Sequence, residues 1–295
     1  MSVAAWLTPQ LINRLEALEL SVRWVRAGSK LGGRFAVNRR GSSMEFADYA
    51  AYTPGDDIRA IDWNLYARLD RLYIKTYKEE IQLAVELIVD ATASMGLPGP
   101  EKFEAARRLA VSLGYVGLAD AHHVRLSWIA PGAPSASAWF HQRRDVFRLA
   151  AQADAGRVSG AASPSEWVRR AVGALRWHGG QAIVITDALA PPADLFKALH
   201  AMSTRNMEVK VVQVISPQEL RPGSAFRSGT VVDVETGQSQ QLGYSAAELA
   251  RAMADHNAVV MRFCKQRGMP FAQYRLGTRL EDFITKTLPA RGFLE

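Results

Sequence analysis

A single cysteine in 295 residues, Cys264, excludes an intramolecular disulfide and any small disulfide-stapled architecture. It sits among Val259, Val260, Met261 and Phe263, the setting of a buried small hydrophobe. No stretch approaches the ~20 consecutive apolar residues that a membrane-spanning helix needs. The first residues, Met1 to Trp6, have neither the basic start nor the long apolar core of a secretory signal. Low-complexity tracts and internal repeats are missing too. Charge of one sign is in small excess, 36 Lys and Arg against 29 Asp and Glu for a net +7. That excess is scattered, with only short runs such as Arg39-Arg40 and Arg143-Arg144, whereas nucleic-acid binding calls for a concentrated basic face. These absences predict a soluble cytoplasmic protein with no nucleic-acid partner and no direct membrane insertion.

What is present is an ordinary globular composition, 48% hydrophobic and 22% charged. The length is about twice the ~150-residue prior for one domain. Thr8-Pro9 places a hydroxyl at a helix N-cap and a proline in the first turn. Leu11, Ile12, Leu15, Leu18 and Val22 then predict a helix running toward Gly28. From Lys30 to Asp70 the pattern breaks into short turn-rich pieces. Beyond it, apolar runs alternate with amphipathic segments. Strands are expected at 71–77, 82–89, 124–129, 182–186, 209–215 and 271–274, with a further short one at 136–140. Helices are expected at 101–118, 145–152, 163–177, 192–202 and 245–266. Strands alternating with helices of this length predict an α/β fold, a doubly wound, mostly parallel sheet covered on both faces. Residues 229–243 read as an inserted hairpin. The expected organisation is an N-terminal segment, 1–80, packed on a main domain, 81–295.

In such sheets ligands gather at the carboxyl ends of the strands, near the point where strand order reverses. Two predicted strands end in aspartate, Asp90 and Asp187. The first continues as Asp90-Ala-Thr92-Ala-Ser94, so a carboxylate and two hydroxyls recur at two-residue spacing. Oxygen donors of this kind suit a hard cation such as Mg²⁺. The same residues would also serve as turn-stabilising hydrogen-bond partners with no metal at all.

Asp90-x-Thr92-x-Ser94 with Asp187 resembles the metal-ion-dependent adhesion site of von Willebrand factor A domains. A more specific resemblance lies upstream, in Arg39-Arg40-Gly41-Ser42-Ser43-Met44-Glu45-Phe46, in Tyr52-x-Pro54-Gly55-Asp56-Asp57-Ile58-Arg59-x-Ile61-Asp62-Trp63, and in Ala67-Arg68. It continues at Asp233-Val-Glu235-Thr236-Gly237 and Arg291-Gly-Phe-Leu294. These are similar to the signature of the bacterial family called domain of unknown function 58. The resemblance implies a von Willebrand A-like domain behind a family-specific N-terminal segment. It also implies partnership with AAA+ ATPases of the MoxR type, and operon partners that are membrane-associated. For the adhesion site it implies Asp90, Thr92, Ser94 and Asp187 as ligands of Mg²⁺ or Mn²⁺. Its remote threonine maps to Ser163, which is also the best N-cap of its own helix. Thr92 stands where a serine is commoner.

Asp56, Asp57, Arg59, Asp62, Trp63 and Arg68 form a charged cluster after a Pro-Gly turn, either a structural ion-pair network or a partner-binding surface. No catalytic residue is assigned. His122-His123 adjoin a strand start, where neighbouring side chains point to opposite faces. Gly28 to Gly33 lacks the strand and spacing of a phosphate loop, and no Ser-His-Asp or Cys-His context is present. The sequence thus points to a non-enzymatic adaptor that presents a cation. A metal-dependent hydrolase using the same site, or a metal-free scaffold acting through residues 39–68, stands as the alternative.

Overall fold

The structure, a computed structural model, describes residues 2–22, 45–56, 58–78, 82–130, 136–160, 180–205, 207–221, 229–232, 239–242 and 245–295. Contacts divide the chain into two compact units, Met1–Phe35 with Leu83–Glu295, and Ala36–Gln82.

The larger unit is built on five parallel strands: β3 (Ala84–Asp90), β4 (His123–Ile129), β5 (Gly180–Thr186), β6 (Met207–Ile215) and β9 (Phe271–Arg275). Their order is β4-β3-β5-β6-β9. Every residue of β3 and of β5 is buried, as expected of Val- and Ile-rich strands covered on both faces. The chain leaves β3 to form β4 on one side, then returns to place β5 on the other. The switch point therefore lies between β3 and β5, and their carboxyl ends lead into Asp90 and Asp187. The observed architecture is the doubly wound α/β sheet that the alternation predicts.

The helices differ in face. The helix α4 (Glu101–Ala119) packs on β3 and β4 with Leu109 and Leu113 buried. Gly114 permits its close approach, because an added Cβ would lie 2.4 Å from Leu149 Cδ2 and 2.9 Å from Leu87 Cδ1. The helix α5 (Val146–Ala155) packs against α4. Another layer joins α6 (Pro192–Ser203) and α8 (Ala246–Gln266) to the sheet through Ile88, Val184, Leu195, Leu199, Val211 and Val260. Ser245 caps α8 in a reciprocal capping box with Glu248. Cys264 belongs to this core, and burial pushes its thiol up to about 12. It is a packing residue.

The N-terminal helix is shorter than its apolar pattern predicts. α1 (Val3–Trp6) and α2 (Pro9–Leu15) are followed at Leu20 by an antiparallel bridge to Leu294. Backbone bonds Glu19 N–H to Glu295 O (3.1 Å) and Ser21 N–H to Phe293 O (3.1 Å) hold the ends together. Leu18 and Val22 continue the helical spacing, but between them the backbone of Glu19 and Ser21 pairs with the C-terminus instead of continuing the helix. The buried Lys210 ammonium clamps the junction by donating to the carbonyls of Ser21 and Phe293. The expected helix at 163–177 lies outside the described residues. The hairpin is present as β7 (Gly229–Val232) and β8 (Ser239–Leu242), paired antiparallel.

The smaller unit holds an antiparallel pair, β1 (Glu45–Ala51) and β2 (Tyr73–Lys78), with α3 (Trp63–Leu69) between them. The turn-rich reading of 30–70 gave no hint of β1 or α3. Asp62 starts α3 by accepting the N–H groups of Asn64 (2.9 Å) and Leu65 (3.1 Å), as a favoured N-cap residue does.

Candidate functional site

The ends of β3 and β5 lie side by side, Val89 in register with Ile185. This places Asp90 beside Thr186, whose hydroxyl donates to Asp90 Oδ2 at 2.6 Å. Asp90 Oδ1 accepts the Thr92 N–H at 3.0 Å and the Thr92 hydroxyl at 2.7 Å. The loop after β3 thus folds back on its own carboxylate and holds both hydroxyls inward. Thr92 Oγ1 and Ser94 Oγ are 3.1 Å apart. Asp90, Thr92, Ser94 and Asp187 are all buried.

Burial raises the Asp90 carboxyl to about 6, and the charge of Asp187 adds to that effect; the bonds from Thr186 and Thr92 oppose it. Two carboxylates this close in a buried setting are costly without a cation. The structure supplies one that the sequence reading did not single out. Lys102, fully buried in the first turn of α4, places its Nζ 2.8 Å from Asp187 Oδ2. The same ammonium donates to Ser94 O at 3.0 Å and to Glu219 Oε1 at 2.5 Å. Glu219 lies in the short helix α7 (Pro217–Leu220) after β6, fixed by a capping box with Ser216.

The loop after β5 is held as firmly. Ala188 is left-handed at φ +58, a conformation a non-glycine residue adopts only when its surroundings enforce it. Its N–H donates to Thr186 Oγ1 (2.9 Å) and its carbonyl accepts from His256 Nε2 (2.6 Å). Gln213 Nε2 donates to the Asp187 carbonyl at 2.9 Å. Beside the site, between the starts of α4 and α7 and the end of β9, runs a groove of ≈ 770 Å³. Pro98, Glu101, Arg108, Pro217, Tyr274 and Leu276 line it.

Among the described residues no group of three or more His, Cys, Asp or Glu side chains forms a metal cage. The strand-end set is of another kind, two hydroxyls with carboxylates. Adjacent ligands of an octahedral ion bound at about 2.0–2.1 Å lie about 3 Å apart, which matches the Thr92–Ser94 spacing. Asp187 Oδ2 is buried, and the Lys102 ammonium at 2.8 Å is its described partner. Asp90, Asp187 and Glu219 together carry three negative charges against one on Lys102. The residues present therefore fit a divalent cation in donor type, spacing and charge.

Ser163, the expected fifth contributor, and Asp57 of the signature cluster lie outside the described residues. Of the other signature residues, Asp56 Oδ2 accepts from Thr53 N–H (2.8 Å) and Thr53 Oγ1 (2.7 Å). Asp62 caps α3 and accepts the Tyr49 hydroxyl at 3.1 Å. Arg59, Trp63 and Arg68 are exposed. The two described aspartates thus serve a turn and a helix start, while the arginines and Trp63 face outward.

Fold and site define an α/β domain with an oxygen-lined polar centre at its topological switch point. Residues 48–260 match the family described as "Protein of unknown function DUF58", and the chain belongs to that family. It is 28% identical over 281 residues to the uncharacterized proteins Mb1516 of Mycobacterium bovis and Rv1480 of Mycobacterium tuberculosis, covering 90% of this chain and 85% of each relative. Among solved structures it is similar to the conserved hypothetical protein BatB from Bacteroides thetaiotaomicron, at 16% identity and a TM-score of 0.42 over 71% of this chain and 98% of that one. It is also similar to a von Willebrand factor type A structure from Catenulispora acidiphila, at 16% identity and a TM-score of 0.35 over 75% and 51% of the two chains. Among the described residues no helix is long and apolar enough to cross a membrane.

Proposed function

We propose that the chain is a non-enzymatic interaction module that presents a divalent cation, Mg²⁺ or Mn²⁺, at the β3–β5 switch point. The Thr92 and Ser94 hydroxyls would hold the ion directly, Asp90 and Asp187 through water, and Ser163 as a fifth contributor. The bound ion supplies an open position for a carboxylate of the partner. The chain's own part is to orient. Thr186 and the Thr92 N–H fix Asp90, and the left-handed Ala188 fixes the loop that carries Asp187. The observation that carries this reading is the pair of inward hydroxyls, 3.1 Å apart, set between two buried strand-end carboxylates.

The partner is an AAA+ ATPase of the MoxR type, for which the chain acts as a cytoplasmic adaptor; this part rests on the family resemblance. Non-enzymatic action is part of this proposal, and His256 is engaged with the Ala188 carbonyl at 2.6 Å. Calorimetric titration with Mg²⁺ and Mn²⁺ of the wild type and Asp90→Ala tests the cation. Saturable binding that the variant loses supports it, and equal behaviour of the two proteins overturns it.

A second reading, a metal-free scaffold acting through residues 39–68, is favoured by one observation. Ile58 and Trp63 of the smaller unit are 64% and 63% exposed, an unusual display of large apolar side chains. Charge reversal at Arg59 or Arg68 that abolishes ATPase capture, with Asp90→Ala harmless, would select it.

A further inference from the structure

Lys102 occupies an unusual place for a lysine. It lies on the buried stripe of α4 with Ala106, Leu109 and Leu113, and is itself fully buried. Its three N–H groups meet three oxygens, those of Ser94 O, Asp187 Oδ2 and Glu219 Oε1, at 3.0, 2.8 and 2.5 Å. Burial pulls the ammonium toward neutrality, but the charges of Asp187 and Glu219 outweigh it and its pKa is raised. The ammonium sits on Asp187 Oδ2, for which no other partner is described, while Oδ1 accepts the Leu189 N–H at 3.1 Å. The other two partners differ from Asp187 in kind. Ser94 offers a backbone carbonyl, and the Glu219 side chain is 15% exposed against 1% for Asp187.

We infer that Lys102 is a tethered competitor for the divalent cation: its ammonium neutralises Asp187 when no ion is bound, and gives up that contact, held by Glu219 and the Ser94 carbonyl alone, when an ion arrives. This rests on the cation reading above. An ammonium in contact with Asp187 and a divalent ion that the same carboxylate holds through water are two positive centres on one buried anion, and they repel each other. A second acceptor must therefore hold the displaced ammonium, and Glu219 is built to do so. Its carboxylate is pinned by the Ser216 N–H at 2.7 Å through Oε2, leaving Oε1 to Lys102. The exchange links occupancy of the site to α7, whose Pro217 and Gln218 line the groove beside it. The affinity of the site for cations is thereby held down by the chain itself.

The test is calorimetric titration of Mg²⁺ into the full chain, wild type and Lys102→Met, with the Lys102 ¹⁵Nζ resonance followed in the wild type. Removing the positive charge that contacts Asp187 is expected to tighten binding roughly tenfold, and the wild-type Nζ signal is expected to shift as Mg²⁺ binds. Tighter binding by the variant than by a wild type that also binds supports the inference; binding by the variant alone overturns both the inference and cation presentation by the native chain, since no ion then displaces Lys102. Equal affinities overturn the inference and leave the cation reading standing. Binding by neither overturns both. Should Lys102→Met fail to fold, the wild-type signal decides: an Nζ resonance that stays put while Mg²⁺ binds overturns the competitor role.

Discussion

Lys102 Nζ lies 2.8 Å from Asp187 Oδ2, with the two side chains 0% and 1% exposed. A fully buried ion pair of this kind is weak evidence for net stability, but removal of one partner leaves an uncompensated charge. Lys102→Ala is expected to cost about 3–5 kcal/mol in chemical denaturation without added cation. A loss under about 1 kcal/mol would mean that Asp187 and Glu219 are solvated rather than buried.

The start of β5 depends on a glycine. Gly180 has φ +127, and a Cβ there would lie 2.3 Å from the Ala84 carbonyl oxygen across the β3–β5 pairing. Gly180→Ala therefore strains the backbone and forces the two site-bearing strands apart. The expected loss is about 2–4 kcal/mol, with weakened cation binding as a secondary effect. A variant as stable as the wild type would contradict the observed register.

His122 predicts a pH dependence. Burial, reinforced by the charge of His123, pushes its pKa from 6.5 down to about 4, and its Nδ1 accepts the Leu83 N–H at 3.5 Å. The folded state thus binds fewer protons than the unfolded chain between those values, so stability is lost as pH falls from about 6.5 toward 4. His122→Asn, which retains an acceptor near Nδ1, is expected to flatten that decline by roughly 1–2 kcal/mol. Parallel denaturation curves at pH 7 and 4.5 measure it, and identical slopes for the two proteins would refute the assignment.

The sheet was legible in the sequence because its strands are continuous Val- and Ile-rich runs, and their terminal aspartates pointed to the switch point without any coordinates. Helix α8 was legible as the expected 245–266 segment, and its start is fixed locally, by the capping box of Ser245 and Glu248. The short α2 was not, because its end is set by pairing between Leu20 and Leu294, two positions at opposite ends of the chain. Nor was the role of Lys102 read, though a signal existed: a lysine sits on the apolar stripe of α4, in step with Ala106, Leu109 and Leu113. Its partner Glu219 comes from a segment more than a hundred residues away, and only the parallel sheet brings it there. In the signature segment Asp62 looked like one charge in a cluster, whereas it caps α3.

Ser94 offers the mildest probe of the site. Its hydroxyl contacts Thr92 Oγ1, whereas the Lys102 bond goes to its backbone carbonyl, which Ser94→Ala retains. The variant is expected to lose no more than about 1 kcal/mol of stability while weakening Mg²⁺ binding severalfold or more. Unchanged Mg²⁺ affinity would remove Ser94 from the ligand set.

The most direct test of the account measures binding of this chain to a purified AAA+ ATPase of the MoxR type. Mg²⁺ and nucleotide are held constant, since such ATPases use the metal themselves, and wild type is compared with Ser94→Ala and Asp90→Ala. Capture by the wild type, with at least a roughly tenfold weaker Kd in both variants, about 1.4 kcal/mol, is the predicted result. Equal capture by all three proteins would contradict a cation-presenting strand-end site.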